Sequence, residues 1–473
     1  MNKKYSALSK NILLFAICGV VPKLLAFVII PIYTNYLSTA DYGVYELIVT
    51  TVDLLLPIFA VRIHEAVLKF GLDEKYDPKL VFSAGVKVTL LGTCIVGLCT
   101  YLLSYFDLID NSYLAFFAVL FFVVGNTHIV TRFCRAIDKV TVITIASILN
   151  SITMFTCNIV FLVFLGWGLK GFILSTILGY LVCWLICFFG AGLYKYLAFS
   201  KSPMLIKKML IFSFPLVFSA LSWWVNNASD RYILMAICGL SVSGIYSVAY
   251  KVPSILVVVQ DVFVQAWSIS AIKEFDKEDS EGFIGGVYSM LQFGMIFAAS
   301  FLMVLNMPIA KIIYTNDFFE AWKYVPPILI SLYFNAISLF YDGLFLAIEK
   351  TKSIAIFTGI GALINIILNF VLIYFIGPYG AALSTMLGFG IGYVLRALYG
   401  RKHFKIKRNK TRECVVIAIL LSQMVLSFLE WMMIPLQIIA LVIICCLYKN
   451  EFKILLSKVV SRVLKRSINA GNE

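Results

Sequence analysis

Apolar residues gather along this chain into long stretches, and charge is confined to short clusters between them. Fourteen stretches can be counted, near 11 to 36, 42 to 68, 79 to 104, 113 to 132, 140 to 165, 169 to 194, 209 to 237, 241 to 269, 283 to 307, 324 to 348, 353 to 376, 379 to 400, 413 to 431 and 433 to 449. Most run to ~20 residues or more, enough for a helix to cross a hydrocarbon core of about 30 Å with every backbone hydrogen bond satisfied internally. The pattern predicts an all-α polytopic membrane protein of about 14 transmembrane helices.

The charged clusters orient these spans. With the N-terminus placed inside, 31 of the 39 Lys and Arg residues fall in inner segments, three (Lys170, Lys311 and Lys323) in outer loops and five within spans. Basic residues are retained on the inner side of a membrane, so this asymmetry predicts an even number of helices with both termini cytoplasmic.

The chain also repeats itself. The stretch GLKGFILSTILGY, Gly168 to Tyr180, returns 209 positions later as GPYGAALSTMLGF, Gly377 to Phe389, with seven identities in thirteen positions. Gly43-Val44-Tyr45 returns as Gly244-Ile245-Tyr246, 201 positions on. Two echoes at nearly one offset predict two pseudo-symmetric six-helix lobes at 1–200 and 201–400. A basic loop and helical hairpin (401–449, with its helices at 413–449) and a basic amphipathic tail (450–473) follow. Repeats of this kind in an apolar chain mark transporters, whose substrate sites lie between the halves.

Composition narrows the function classes. Hydrophobic residues make up 61% of the chain and charged residues 14%, with a mean hydropathy of +0.95. The net charge of +14 is carried by the inner loops, where it faces anionic membrane lipids, so nucleic acid is not expected as a partner. No cleavable signal peptide is expected, since the first apolar run lacks an A-x-A site and leads straight into further spans. The eleven Cys have no CxxC pair or metal spacing and read as small core residues. No P-loop occurs, the three His (His64, His128 and His403) are scattered, and the short outer loops leave no room for a glycosyltransferase, polymerase or ligase centre. Neither enzyme chemistry nor a metal or organic cofactor is expected.

Two segments carry a family resemblance: KLLAFVIIPIYTNYLSTADYGVYELI, Lys23 to Ile48, and NNASDRYIL, Asn226 to Leu234, followed by GIYSVAYKV, Gly244 to Val252. The first, with its basic residue, Pro-Ile, Leu-Ser turn and D-Y-G-x-Y, resembles the opening of bacterial polysaccharide flippases; the second resembles their D-R-x-x-L and G-x-Y-x-x-A-x-K. The chain thus looks like a member of the O-antigen-flippase-like, polysaccharide-biosynthesis branch of the multidrug, oligosaccharidyl-lipid and polysaccharide exporter superfamily. The resemblance implies two six-helix lobes, alternating access and residence in the bacterial cytoplasmic (inner) membrane. It also implies a lipid-linked oligosaccharide of the undecaprenyl pyrophosphate type as cargo, for O-antigen, capsule or exopolysaccharide, with a polysaccharide polymerase and glycosyltransferases as partners. Two rivals remain: a cation-coupled multidrug exporter of the same superfamily and a non-transporting envelope-assembly scaffold.

Charge kept at membrane depth costs about 2.5–3.5 kcal/mol per residue on insertion scales, which marks such residues for a wet cavity or a partner. Ten qualify, five basic and five acidic: Lys23, Arg62, Lys87, Arg231 and Lys251, with Asp53, Glu65, Asp230, Asp261 and Asp342. For a pyrophosphate the substrate-binding candidates are Lys23, Arg62, Lys251 and Arg231, because guanidinium and ammonium groups make charge-assisted bonds to phosphate oxygens. The ion-coupling candidates are Asp53, Glu65, Asp230, Asp261 and Asp342, with His64 a further protonatable group. Against these stand plainer readings: Arg62 pairs with Glu65 three residues on, Lys23 pairs with Asp53, Asp230 and Arg231 form an interfacial anchor or interlobe latch, and Lys87, Asp261 and Asp342 reach the inner water surface. Trp223, Trp224 and Trp267 have the faces to stack on sugar rings, or serve as packing.

Overall fold

The computed structural model describes residues 25–106, 111–198, 202–429 and 434–453. Among them are twelve helices long and apolar enough to cross a membrane, joined by three shorter apolar helices, Leu25–Tyr36, Leu240–Ala249 and Ile434–Leu447. The described residues contain no strand. The chain is therefore an all-α, multi-pass membrane protein of about the expected helix number. Lys23 and most of the tail 450–473 lie outside the described residues.

By packing, the described chain forms two compact units. The first takes residues 1–247 and Ile313–Phe318, the second Val248–Ile312 and Phe319–Glu473. The long helix that follows residue 202 thus clusters with the first unit; the lobes at 1–200 and 201–400, read from the sequence repeat, remain a proposal. Helices of the first unit are α1 (Ile30–Tyr36), α2 (Thr39–Phe59), α3 (Ile63–Gly71), α4 (Pro78–Tyr105), α5 (Asn111–Ala136), α6 (Val140–Asn158, continued by a wider turn over Ile159–Phe164), α7 (Gly168–Gly190), α8 (Pro203–Cys238) and most of α9 (Leu240–Ala249). The second unit holds α10 (Ser254–Lys273), α11 (Phe283–Val304), most of α12 (Asn306–Ile313), α13 (Val325–Ala347), α14 (Thr351–Ile376), α15 (Tyr379–Gly400), α16 (Lys410–Leu426) and α17 (Ile434–Leu447).

The sequence echoes mark places where backbones touch. In membranes small residues let helices approach, since apolar side chains gain little by leaving lipid. A Cβ on Gly43 of α2 would meet the Leu240 carbonyl oxygen of α9 at 2.3 Å, and one on Gly244 of α9 would meet that of Thr39 at 2.0 Å. The two copies of the Gly-x-Tyr motif therefore pack on each other. In the longer echo, Gly179 of α7 and Gly388 of α15 each close on the preceding helix, where an added Cβ would lie 2.5 Å from Asn150 Oδ1 and 3.0 Å from Asn365 Cβ respectively. The motifs also meet: the Tyr45 ring lies edge-on to Phe172 of α7 at 4.5 Å, and its hydroxyl hydrogen-bonds Thr176 at 3.2 Å. The Leu-Ser-x-x-Asp turn ahead of α2 is a capping box, in which Ser38 Oγ accepts from the Asp41 N–H at 3.0 Å while the Asp41 carboxylate turns back to the Ser38 N–H.

Two expected spans are interrupted. The stretch 42–68 divides into α2 and α3 around Ala60–Arg62, and 241–269 divides into α9 and α10 around Tyr250–Pro253. Pro253 accounts for the second break, because its missing N–H cannot continue a helix and its ring disfavours helical geometry before it. In the second unit the added hairpin is anchored by polar groups. The Glu413 carboxylate of α16 accepts from Tyr288 (2.6 Å), from Tyr393 and from the Arg408 guanidinium (3.0 Å).

Two measurements test this account. Gly244→Ala should lower the melting temperature of the purified protein, since overpacking against a backbone oxygen costs about 1–3 kcal/mol or more, whereas Gly286→Ala on α11, with nothing within 4 Å of the added Cβ, should be neutral or stabilising. For orientation, single cysteines at Lys170 and Asp317 in a Cys-free background should react with an impermeant thiol reagent in intact cells, and those at Glu74, Ser280 and Lys402 should not; the reverse labelling would overturn the inside placement of the termini.

Candidate functional site

The break in the second span builds the site. Val61 and Arg62 carry positive φ angles of 47° and 46°, a left-handed geometry that β-branched and bulky residues rarely adopt and that costs on the order of 1–3 kcal/mol each. Gly92 of α4 gives the turn its room: a Cβ there would meet the Phe59 carbonyl oxygen at 2.4 Å. This turn starts α3 with Arg62 at its head, and three residues on stands Glu65, which receives the Arg62 guanidinium at 3.2 Å.

The sequence candidates do not complete the cluster. Arg132 of α5 reaches the same Glu65 oxygen at 2.9 Å, so one half-buried carboxylate holds two guanidiniums. His64 Nε2 lies 3.6 Å from that oxygen, and its ring stands edge-on to His128 at 5.2 Å. His128 and Arg132 are four residues apart on α5 and share a face. Spacing was the available signal, but Arg132 lies at a span end and counts by sequence as a loop cation. The Nε of Arg62 and the Thr89 hydroxyl are buried without a hydrogen-bond partner among the described residues; such donors are rare in folded proteins and call for an explanation.

All of these groups except Glu65 line a cavity of about 480 Å³ within the first unit. Its wall includes Asp53, Arg62, His64, Thr89, His128 and Arg132, closed by Leu216, Ser219, Ala220, Trp223 and Trp224 of α8. Trp224 is fixed by a 2.8 Å bond from its indole N–H to the Thr50 carbonyl, while Trp223 is 64% exposed and presents a free ring face. Trp267, by contrast, is buried, stacked at 4.6 Å on Phe340 and bonded to its carbonyl at 2.9 Å, so it is core packing of the second unit.

The formal charge of the cavity is balanced. The wall carries Arg62, Arg132 and Asp53 with two imidazoles, and Glu65 pairs with both guanidiniums. The arrangement can receive an anion in two ways, by exchanging Glu65 for it on the guanidinium forks or by taking up a proton on Asp53. Either leaves cationic donors for phosphate oxygens.

The remaining candidates stand elsewhere. Asp230 is buried and accepts from Tyr246 at 3.0 Å; Arg231 donates to Ser247 at 3.0 Å and lies 3.7 Å from Glu46, whose other oxygen accepts from Tyr42 at 2.6 Å. This network ties α2, α8 and α9 together beside the Gly43–Gly244 contact. Asp342 is clamped by Arg396 through two bonds of 2.7 and 3.3 Å, and Arg396 also donates to Thr358 at 2.7 Å, which joins α13, α14 and α15. Lys251 occupies the Tyr250–Pro253 interruption, half-buried, and Asp261 is exposed on α10. Lys87 lies on α4, half-buried. Among the described residues no group of His, Cys, Asp or Glu is placed to hold a metal.

The profile of the family described as polysaccharide biosynthesis protein matches residues 8–269, more than half of the chain. The chain belongs to that family. No curated protein matches it. Among solved structures it is similar in fold to the lipid II flippase MurJ in an inward closed conformation, at 16% identity over 95% of this chain and 100% of that one, with a TM-score of 0.67. It is also similar to a multidrug resistance MATE family transporter of the MOP superfamily in its inward-facing conformation, at 13% identity over 82% and 97% of the two chains, with a TM-score of 0.65. A Pyrococcus furiosus MOP superfamily transporter, reported under reversed polarity of its binding pocket, matches at 15% identity over 83% and 95%, with a TM-score of 0.60. These likenesses establish the fold.

Sharing of Glu65 has a consequence for stability. Arg62→Gln and Arg132→Gln should each lower stability by no more than about 1 kcal/mol, since the carboxylate keeps one partner, whereas the double substitution should cost about 3 kcal/mol or more by stranding it. Thermal unfolding of the three purified variants measures this; additive losses would show that the carboxylate is not shared.

Proposed function

We propose that the protein is a flippase that carries a polyprenyl-pyrophosphate-linked oligosaccharide across the bacterial cytoplasmic membrane by alternating access. Family and fold together support a membrane transporter of the flippase kind. The observation that carries the cargo is the pair of guanidiniums on Glu65, at the wall of a cavity faced by the Trp223 ring. Two planar forks suit a pyrophosphate, each able to make paired bonds to phosphate oxygens, and an indole face suits the apolar side of a sugar ring.

The balanced charge supplies a coupling route. Two guanidiniums keep Glu65 ionised, so Asp53 on the wall is the carboxylate placed to take up a proton: while it is ionised the cavity resists an anion, and its protonation favours the pyrophosphate. A proton on Asp53 raises the positive charge of the wall, so cargo binding is linked to proton uptake there. A cation-coupled drug exporter would need an acidic surplus for its cations, which this wall lacks. Lys23 and Lys251 enter the proposal as further phosphate contacts, and Asp230, Asp261 and Asp342 as coupling groups secondary to Asp53.

Deletion of the gene should remove the surface polysaccharide, leave its lipid-linked repeat unit on the cytoplasmic side and leave drug tolerance unchanged. Normal surface glycan in a strain without a redundant flippase would reject the function. Within the site, Arg62→Gln and Arg132→Gln should reduce transport about ten- to hundredfold each at unchanged membrane abundance, the equivalent of losing one charge-assisted bond of ~1.5–3 kcal/mol. Transport by reconstituted protein should rise as pH falls and lose part of that dependence in Asp53→Asn; an unchanged profile in that variant would remove Asp53 from coupling.

A further inference from the structure

A second pocket, of about 370 Å³, lies within the second unit at the end of its spans that carries the basic loop. Five cations line it, Arg401, Lys405, Lys407, Arg408 and Lys410, with Glu278 the one acidic residue of the wall. Its floor is apolar, formed by Tyr341 of α13, Ala397 of α15, Phe404 and Ile406.

Three of the five cations, Lys405, Lys407 and Arg408, are held in place. Asp279, buried and with a positive φ of 51°, accepts three backbone N–H bonds: from Ile284 (3.0 Å) and Gly285 (2.9 Å), at the start of α11, and from Lys407 (3.0 Å). Gly285 permits this approach, as a Cβ there would lie 2.4 Å from the Lys407 carbonyl oxygen. The Lys405 N–H adds a bond to the Lys277 carbonyl at 2.8 Å, and the Lys407 ammonium one to the Ser280 carbonyl at 2.7 Å. Lys405 pairs with Glu278 at 2.6 Å and Arg408 with Glu413 at 3.0 Å, which leaves Arg401, Lys407 and Lys410 without a side-chain partner among the described residues.

We propose that this pocket binds the phosphate headgroup of an anionic phospholipid, with the glycerol and first acyl carbons against Tyr341 and Phe404. Five cations over an apolar floor, three of them fixed, at a span end, match a phosphate tethered to hydrocarbon; basic pockets between spans recognise lipid headgroups in this way. A free phosphate shares the headgroup chemistry and has no use for the floor.

The full-length protein, purified in mild detergent and mixed with equal phosphatidylglycerol and phosphatidylcholine, is examined by native mass spectrometry for retained lipid. Wild type should keep phosphatidylglycerol preferentially, and Arg401→Gln/Lys410→Gln, two exposed changes, should reduce that retention about tenfold, while Lys352→Gln leaves it unchanged. Equal retention of the two lipids by wild type, or undiminished phosphatidylglycerol retention in the double variant, would overturn the proposal. Inorganic pyrophosphate at matching concentration should neither displace the lipid nor bind alone; an adduct that the double variant loses would make a soluble phosphate the ligand and overturn the lipid assignment.

Discussion

One carboxylate shared by two guanidiniums sets the character of the site. Glu65 keeps Arg62 and Arg132 in register across two helices, and without it two cations would face each other at membrane depth, where charge is costly. The same sharing keeps Glu65 paired when one guanidinium leaves it, and an incoming phosphate can replace the carboxylate on both forks. A cavity of fixed surplus positive charge would bind a pyrophosphate and keep it. One whose charge is balanced, and tips with a single proton, can also release it.

Placing Glu65 between those arginines takes a broken helix, and the break is maintained by its neighbours. Val61 and Arg62 occupy a backbone region that their side chains disfavour, and the turn persists because Gly92 admits the Phe59 carbonyl. The rest of the first unit is locked by contacts of the same kind. Gly43 and Gly244 bring α2 and α9 to backbone contact, with Glu46, Arg231, Asp230 and Tyr246 joined in one polar network beside them.

The spans were legible because a bilayer leaves helices little choice of length or composition, and the echoes because close helix contact requires glycine at fixed places. Gly179 and Gly388 show why the longer echo persists: each lies hard against the helix before it. The break at Ala60–Arg62 was not legible, since no glycine or proline falls within it and Pro57 stands three residues too early. Arg132 and Arg396 were read as loop cations because hydropathy blurs span ends; folding returns them to Glu65 and Asp342. The Arg62–Glu65 pair could be read from a spacing of three. Its third member could not, because Arg132 is 67 positions away in sequence.

The most direct test of the account is the affinity of the purified protein for undecaprenyl pyrophosphate, compared with undecaprenol, in the wild type and in Arg62→Gln/Arg132→Gln. The account predicts that wild type prefers the pyrophosphate by about 100-fold or more, as expected for two charge-assisted contacts, and that the double variant binds the two lipids alike. Undiminished preference for the pyrophosphate in the double variant would contradict it.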